Sequence, residues 1–241
     1  VATKENLWNK PIGHVWTRVK SKKAAEDALK RFPSGAIRLI DYAEDYLSKS
    51  DVKKILKGNL YLEAPSNDII VDKHLFHLSL VDRQTLQAVA DNETKFYLGN
   101  KSVPNLNEKS NLRGVIPPGW ENTGWTWDDV AGCYDNINNK IIVGDGLYGT
   151  KSVVLHETGH AVGKLKIGSY IVEELPEFER LVHEAIKAKK ITNPYLLQPG
   201  KVGLQETFAE LFTEYTIDEA EAVKEFGKDL VDWISKKPWL K

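Results

Sequence analysis

His156-Glu157-Thr158-Gly159-His160 is the stretch that decides how the rest of this chain is read. Histidines four residues apart on a helix project from one face, so both imidazoles can reach a single metal ion. Glu157, one residue after the first histidine, falls within reach of a metal-bound water that it could deprotonate. Ser152-Val153-Val154-Leu155 before the string and Ala161-Val162-Gly163 after it are mostly apolar. That setting suits a helix buried beneath an active-site floor. The string predicts a zinc peptidase with one Zn2+ per chain.

The residues that follow narrow the class. A metzincin would place Gly three and His six positions after the second histidine, followed by a Met-turn. Gly163 is present, but residue 166 is Lys and the chain contains no methionine. A carboxylate on a second helix is the usual alternative, giving a His2Glu site with an open water position. The segment Leu204-Gln205-Glu206-Thr207-Phe208-Ala209-Glu210-Leu211-Phe212 suits that helix. Phe208, Leu211 and Phe212 form an apolar stripe that would pack on the first helix. Glu206 and Glu210 share one face, where one can bind metal while the other accepts a hydrogen bond from a ligand histidine. Glu173, Glu174, Glu177 and Glu179 compete for the ligand role, but they lead into a charged helix expected to face solvent. His183 on that helix reads as a surface histidine.

The chain's 241 residues can bury a substantial core. Lys and Arg total 33 against 34 Asp and Glu, a formal charge of −1. That balance gives no electrostatic case for nucleic acid or an anionic membrane. No apolar run approaches the ~20 residues of a membrane span. Cys133 is the only cysteine, so no intrachain disulfide can form; it reads as a small buried hydrophobe. A first residue of Val rather than Met leads to the expectation of a processed or trimmed product.

Along the chain, the first ~20 residues read as an irregular arm and residues 22–31 and 36–47 as helices. Ser50-Asp51 would cap a short helix ending at residue 55, and 60–62 would be a strand. Residues 69–71 read as a short strand, 82–91 as a helix, 95–98 as a strand and 99–112 as a polar loop. Asn138-Asn139 signals a turn into 140–143, an expected edge strand near the cleft. After the metal helix come a charged helix over 176–190, a loop over 191–203, the second site helix and one amphipathic helix over 223–234. The sum is an α+β fold, a small mixed β-sheet surrounded by helices.

Gly114-Val115-Ile116-Pro117-Pro118-Gly119-Trp120-Glu121-Asn122-Thr123-Gly124-Trp125-Thr126-Trp127-Asp128-Asp129-Val130 resembles the segment preceding the metal helix in the anthrax lethal factor-like metallopeptidases. That family includes the toxin's catalytic domain and the secreted bacterial Pro-Pro endopeptidases. Leu155-His156-Glu157-Thr158-Gly159-His160 and Glu206-Thr207-Phe208-Ala209-Glu210 are similar to its other two blocks, in the same order. The first 110 or so residues match loosely, and 64–110 look longer than in the short secreted relatives.

The resemblance implies a single domain over 1–241, with an N-terminal part (1–110) and a catalytic part (111–241) of zincin, gluzincin type. It implies zinc on His156, His160 and Glu206, with Glu157 as base and proton shuttle. The family also has a tyrosine seven positions before the glutamate ligand that stabilises the tetrahedral intermediate. Pro199 stands there in this chain. Asn193-Pro194-Tyr195-Leu196 looks like the tyrosine block displaced by a four-residue insertion, which makes Tyr195 the candidate. In the Pro-Pro endopeptidases the tryptophan of the Gly-Trp-Glu-Asn-Thr-Gly block lines the cleft and packs on proline. Trp120 holds that position, and an indole face suits a flat, apolar proline ring. The expected protein is a secreted, monomeric zinc metalloendopeptidase acting on protein or peptide substrates at proline-rich sites. A toxin-like protease acting on host signalling proteins is the alternative; an inactive binding module of the same fold would have lost metal ligands, and here every candidate is intact.

Overall fold

The structure is a computed structural model that describes residues 16–19, 39–42, 47–106, 111–117, 124–145 and 150–240. Strands β1 (Trp16–Val19) and β2 (Leu39–Tyr42) pair in parallel, with Trp16 opposite Leu39. The end of the expected N-terminal arm is therefore strand. So is the middle of the helix expected over 36–47, where pairing with β1 decides the conformation. The helix expected over 22–31 lies outside the described residues.

Helix α1 (Lys49–Ile55) starts two residues earlier than expected, because Ser48 and Asp51 form a reciprocal capping box. The Ser48 amide donates to Asp51 Oδ2 at 3.0 Å, and the Asp51 amide to Ser48 Oγ at 3.1 Å. Strand β3 (Leu60–Leu62) follows. Helix α2 (Ile69–Leu78) replaces the short strand expected over 69–71. Asp68 Oδ1 accepts from the amides of Ile70 and Val71, satisfying donors that a helix start leaves orphaned. Val71, Leu75 and Leu78 then bury one helical stripe. Helix α3 (Arg83–Asp91), capped by Asp82, leads into strand β4 (Lys95–Leu98).

Strands β5 (Gly132–Asp135) and β6 (Lys140–Val143) form a hairpin that completes a four-stranded sheet in the order β3-β4-β6-β5. The pairs β3–β4 and β4–β6 are parallel and β5–β6 antiparallel. The sequence placed residues 140–143 at the edge; the structure places them inside the sheet. Ile141, Ile142 and Val143 are wholly buried, and an unbroken apolar run is what a strand covered on both faces requires. Of the hairpin's two arms, the edge strand is β5.

Helix α4 (Val153–Gly163) carries the histidine string across the sheet. The two-residue strands β7 (Lys166–Ile167) and β8 (Tyr170–Ile171) precede α5 (Pro176–Lys187) and α6 (Lys201–Ile217). The single helix expected over 223–234 is two, α7 (Glu219–Phe226) and α8 (Lys228–Ser235). Gly227 between them has φ +90°, a conformation glycine adopts without a Cβ penalty. Phe178 of α5, Phe208 of α6 and Trp233 of α8 pack ring on ring, with centroids 4.9–6.2 Å apart. This cluster holds α6 against α5 and α8. No helix among the described residues is long and apolar enough to cross a membrane.

Candidate metal centre

Two helices meet at the site because residue 159 has no side chain. A Cβ on Gly159 would lie 2.8 Å from Ala209 Cα and 3.0 Å from its carbonyl oxygen. The absence of that atom lets α4 and α6 cross backbone to backbone. The start of α4 is fixed by Ser152, whose Oγ accepts from the Leu155 amide at 3.3 Å and sits 2.7 Å from His77 Nδ1 of α2. Next to it, Lys151 pairs with the buried Glu214 of α6 at 2.5 Å.

This crossing brings His156 and His160 of α4 opposite Glu206 and Glu210 of α6. Glu206 Oε2 lies 3.2 Å from His156 Nε2 and 3.5 Å from His160 Nε2. The ligand atoms of His156, His160 and Glu206 all fall within 4.8 Å of one another. Glu210 turns to the other side of His156, its Oε2 2.9 Å from Nδ1. The two carboxylates that the sequence left interchangeable thus face different nitrogens. Two imidazoles and a carboxylate converging on one point are the donor set of a tetrahedral zinc site with an open fourth position. The residues fit the metal.

Electrostatics at the site follow from this packing. Burial works against the His156 imidazolium, but hydrogen bonds to Glu206 and Glu210 outweigh it and raise its pKa to about 10. Burial would raise Glu206, yet the two imidazoles hold its carboxyl well below the usual range. Glu157 is buried, which pushes its carboxyl up; the neighbouring histidines pull it partly back. Edge strand β5 runs close beside it. A Cβ on Gly132 would stand 2.5 Å from Val153 Cγ1 of α4 and 3.3 Å from Glu157 Cγ, so glycine gives this strand its close approach to the helix.

His156, Glu157, His160, Tyr195 and Glu206 line one cleft of about 350 Å³, with Pro117, Trp127, Cys133, Tyr134, Lys164 and Gln205 among its other walls. Tyr195 reaches it from the loop before α6. Its amide donates to Asn193 Oδ1 and its carbonyl accepts from Gln198 Nε2, while the next residue, Leu196, is buried as an anchor. Burial of the phenol and the adjacent Glu206 carboxylate push the Tyr195 pKa up. Tyr195 therefore stands beside the histidines and Glu206. Trp120 lies outside the described residues.

Of the competing glutamates, Glu174 pairs with Lys201 at 2.7 Å and Glu177 and Glu179 are exposed. Glu173 departs from expectation: it is fully buried and paired with Lys164. Gly163 makes its room, since a Cβ there would overlap Glu173 Oε2. His183 is exposed, as the sequence indicated. Sequence reasoning assigned no role to Tyr134, whose ring lies parallel to that of His160 at 6.4 Å between centroids. It assigned none to Lys164 either. Lys164's position one turn after His160 was the available signal.

The family model described as anthrax toxin lethal factor, N- and C-terminal domain, matches residues 46–229. A Pro-Pro endopeptidase from Clostridioides difficile is 28% identical over 149 residues, 59% of this chain and 63% of that protein. A Pro-Pro endopeptidase from Paenibacillus alvei is 29% identical over 147 residues, 59% and 64% of the two chains. The match thus spans a little under two thirds of the length of these curated relatives. A solved structure of a Pro-Pro endopeptidase from Paenibacillus alvei aligns with a TM-score of 0.63 at 24% identity, over 76% of this chain and 99% of that one; that likeness is one of fold, mixed α/β with a small mixed sheet. Because the family match runs unbroken from α1 past the sheet and both site helices, the chain belongs to the anthrax toxin lethal factor family.

Proposed function

We propose that this protein is a zinc-dependent metalloendopeptidase of gluzincin type that cuts peptide bonds at proline-rich sites. The observation that carries the reading is the convergence of His156, His160 and Glu206 ligand atoms within 4.8 Å, in a cleft that also holds Glu157. Zinc held by these three would lower the pKa of a water toward ~7 and polarise the scissile carbonyl. Glu157, next to the first histidine and buried at the cleft wall, takes the proton of the attacking water and hands it to the leaving amine. Its raised pKa suits a group that must release the proton again. Tyr195 stays a protonated phenol at neutral pH and donates its hydroxyl hydrogen to the developing oxyanion. Glu210 accepts from His156 Nδ1–H, leaving Nε2 as the free lone pair.

The proline preference is supported by the names of the two curated relatives. Export from the cell and a monomeric state rest on the resemblance alone. Mass-spectrometric product mapping on peptides varied around a central Pro-Pro bond, with and without a zinc chelator, tests the reading. Chelator-sensitive cleavage between the prolines is expected. Cleavage that ignores the chelator removes the metal mechanism, and cleavage only at other bonds removes the proline preference.

A further inference from the structure

Lys164 is the only lysine or arginine among the described residues that line the cleft. It closes α4 as the helix C-cap, one turn beyond His160 and hence on the same face. Its ammonium binds Glu173 Oε1. Glu173 is completely buried, and its Oε2 finds no hydrogen-bond donor among the described residues. The helix is shaped around this carboxylate through Gly163, the one residue type that does not overlap it.

A buried ion pair is a weak stabiliser, because desolvating both charges offsets their attraction. An oxygen left unbonded weakens it further. What the pair does achieve is placement. Glu173 takes one of the three ammonium donors and leaves two for an acceptor in the cleft that Lys164 lines. The pair is neutral as a whole, and Lys164 lines a cleft whose acidic walls among the described residues are Glu157 and Glu206. One helical turn is about 5.4 Å, the span of roughly two residues of extended peptide.

We propose that Lys164 is a specificity-determining residue that binds a carboxylate of the peptide substrate within about two residues of the bond cut. This rests on the metalloendopeptidase reading. The carboxylate has two sources, an acidic side chain inside the substrate or the free C-terminus of a short one.

The test uses peptides carrying Glu, Gln or Lys at each of three positions on either side of the scissile bond, each made with a free and an amidated C-terminus. At one position Glu should exceed Gln in kcat/KM by about tenfold, chiefly through KM, with Lys poorer still. If instead amidation alone produces the loss, the carboxylate is the C-terminal one. The variant pair is Lys164→Met and Lys164→Met with Glu173→Met; the second leaves no buried carboxylate unpaired and keeps the test readable if the first folds poorly. The preference should vanish in both. No preference for a carboxylate in the wild-type protein, or an undiminished one in the double variant, overturns the proposal. Binding of the same peptides to Glu157→Gln protein, read by fluorescence anisotropy, reports the preference without turnover. Absence of turnover in the wild type would then count against the metalloendopeptidase reading alone.

Discussion

Glu210 is not among the cleft-lining residues, yet it holds the His156 ring from behind at 2.9 Å. Glu210→Gln keeps the shape but loses the charge that raises the ligand's basicity. Zinc affinity should fall roughly 10–100-fold, read by competition with a chelating dye, while the fold survives. Tyr195→Phe should behave differently. It removes a donor used only as charge develops, so kcat should drop about 10²–10³-fold with KM little changed. A shift in KM alone would reduce Tyr195 to a substrate contact. Helical spacing made legible that His156 and His160 share one face and Glu206 and Glu210 another, while the assignment of Glu206 rather than Glu210 to the metal came from resemblance alone. Only resemblance pointed to Tyr195, which lines the cleft, since a loop position has no periodicity to betray it. Glu173 was misread because its burial depends on a long-range partner and on the missing side chain of Gly163.

At the scale of elements, the α4–α6 crossing is the joint on which the candidate metal centre depends. Gly159→Ala would gain up to about 1 kcal/mol of helix propensity. The new methyl, however, meets Ala209 Cα and carbonyl at 2.8 and 3.0 Å, backbone atoms that cannot rotate away. Overpacking of that kind costs about 1–3 kcal/mol and should win. Urea unfolding should show a lower midpoint with an unchanged slope, and zinc affinity should fall with it because both ligand-bearing helices move. A stabilised protein would mean the helices slide apart freely. Helices and strands with clear caps or runs were readable in advance, among them 82–91, 95–98 and the two site helices. The failures share a cause. Residues 69–71 are β-branched and apolar, but Asp68 satisfies the amides of Ile70 and Val71 as a helix start. Strand β6 looked like an edge because a hairpin hides which of its arms pairs further, and β4 settles it. Strand β2 exists through its partner β1, which lies more than twenty residues away in sequence.

For the whole molecule, the candidate metal centre couples stability to pH in a way that zinc should reverse. In metal-free protein the pKa of His156 is raised from 6.5 to about 10, so its proton stabilises the fold fully below pH 6.5. That contribution is lost as the pH climbs toward 10. Glu214 acts in the same direction. Burial lifts its pKa from 4.5 to about 7 despite Lys151, and stability declines as it ionises between those values. Glu206 is depressed below 4.5, so its contribution is present above that pH and lost on acidification. Metal-free protein should therefore be most stable near pH 5, losing Tm toward both acid and alkali. Zinc competes with the proton for His156 Nε2, so its stabilising effect must grow as the proton leaves. The measurement is the rise in Tm on adding saturating zinc at pH 5.5, 7 and 8.5. The increment should be smallest at 5.5 and largest at 8.5, and in His156→Gln protein it should lose most of its size and its pH dependence. An increment independent of pH in the wild type would mean that zinc binds elsewhere, and that the pair of imidazoles facing Glu206 is a salt-bridged knot in the core rather than a metal centre.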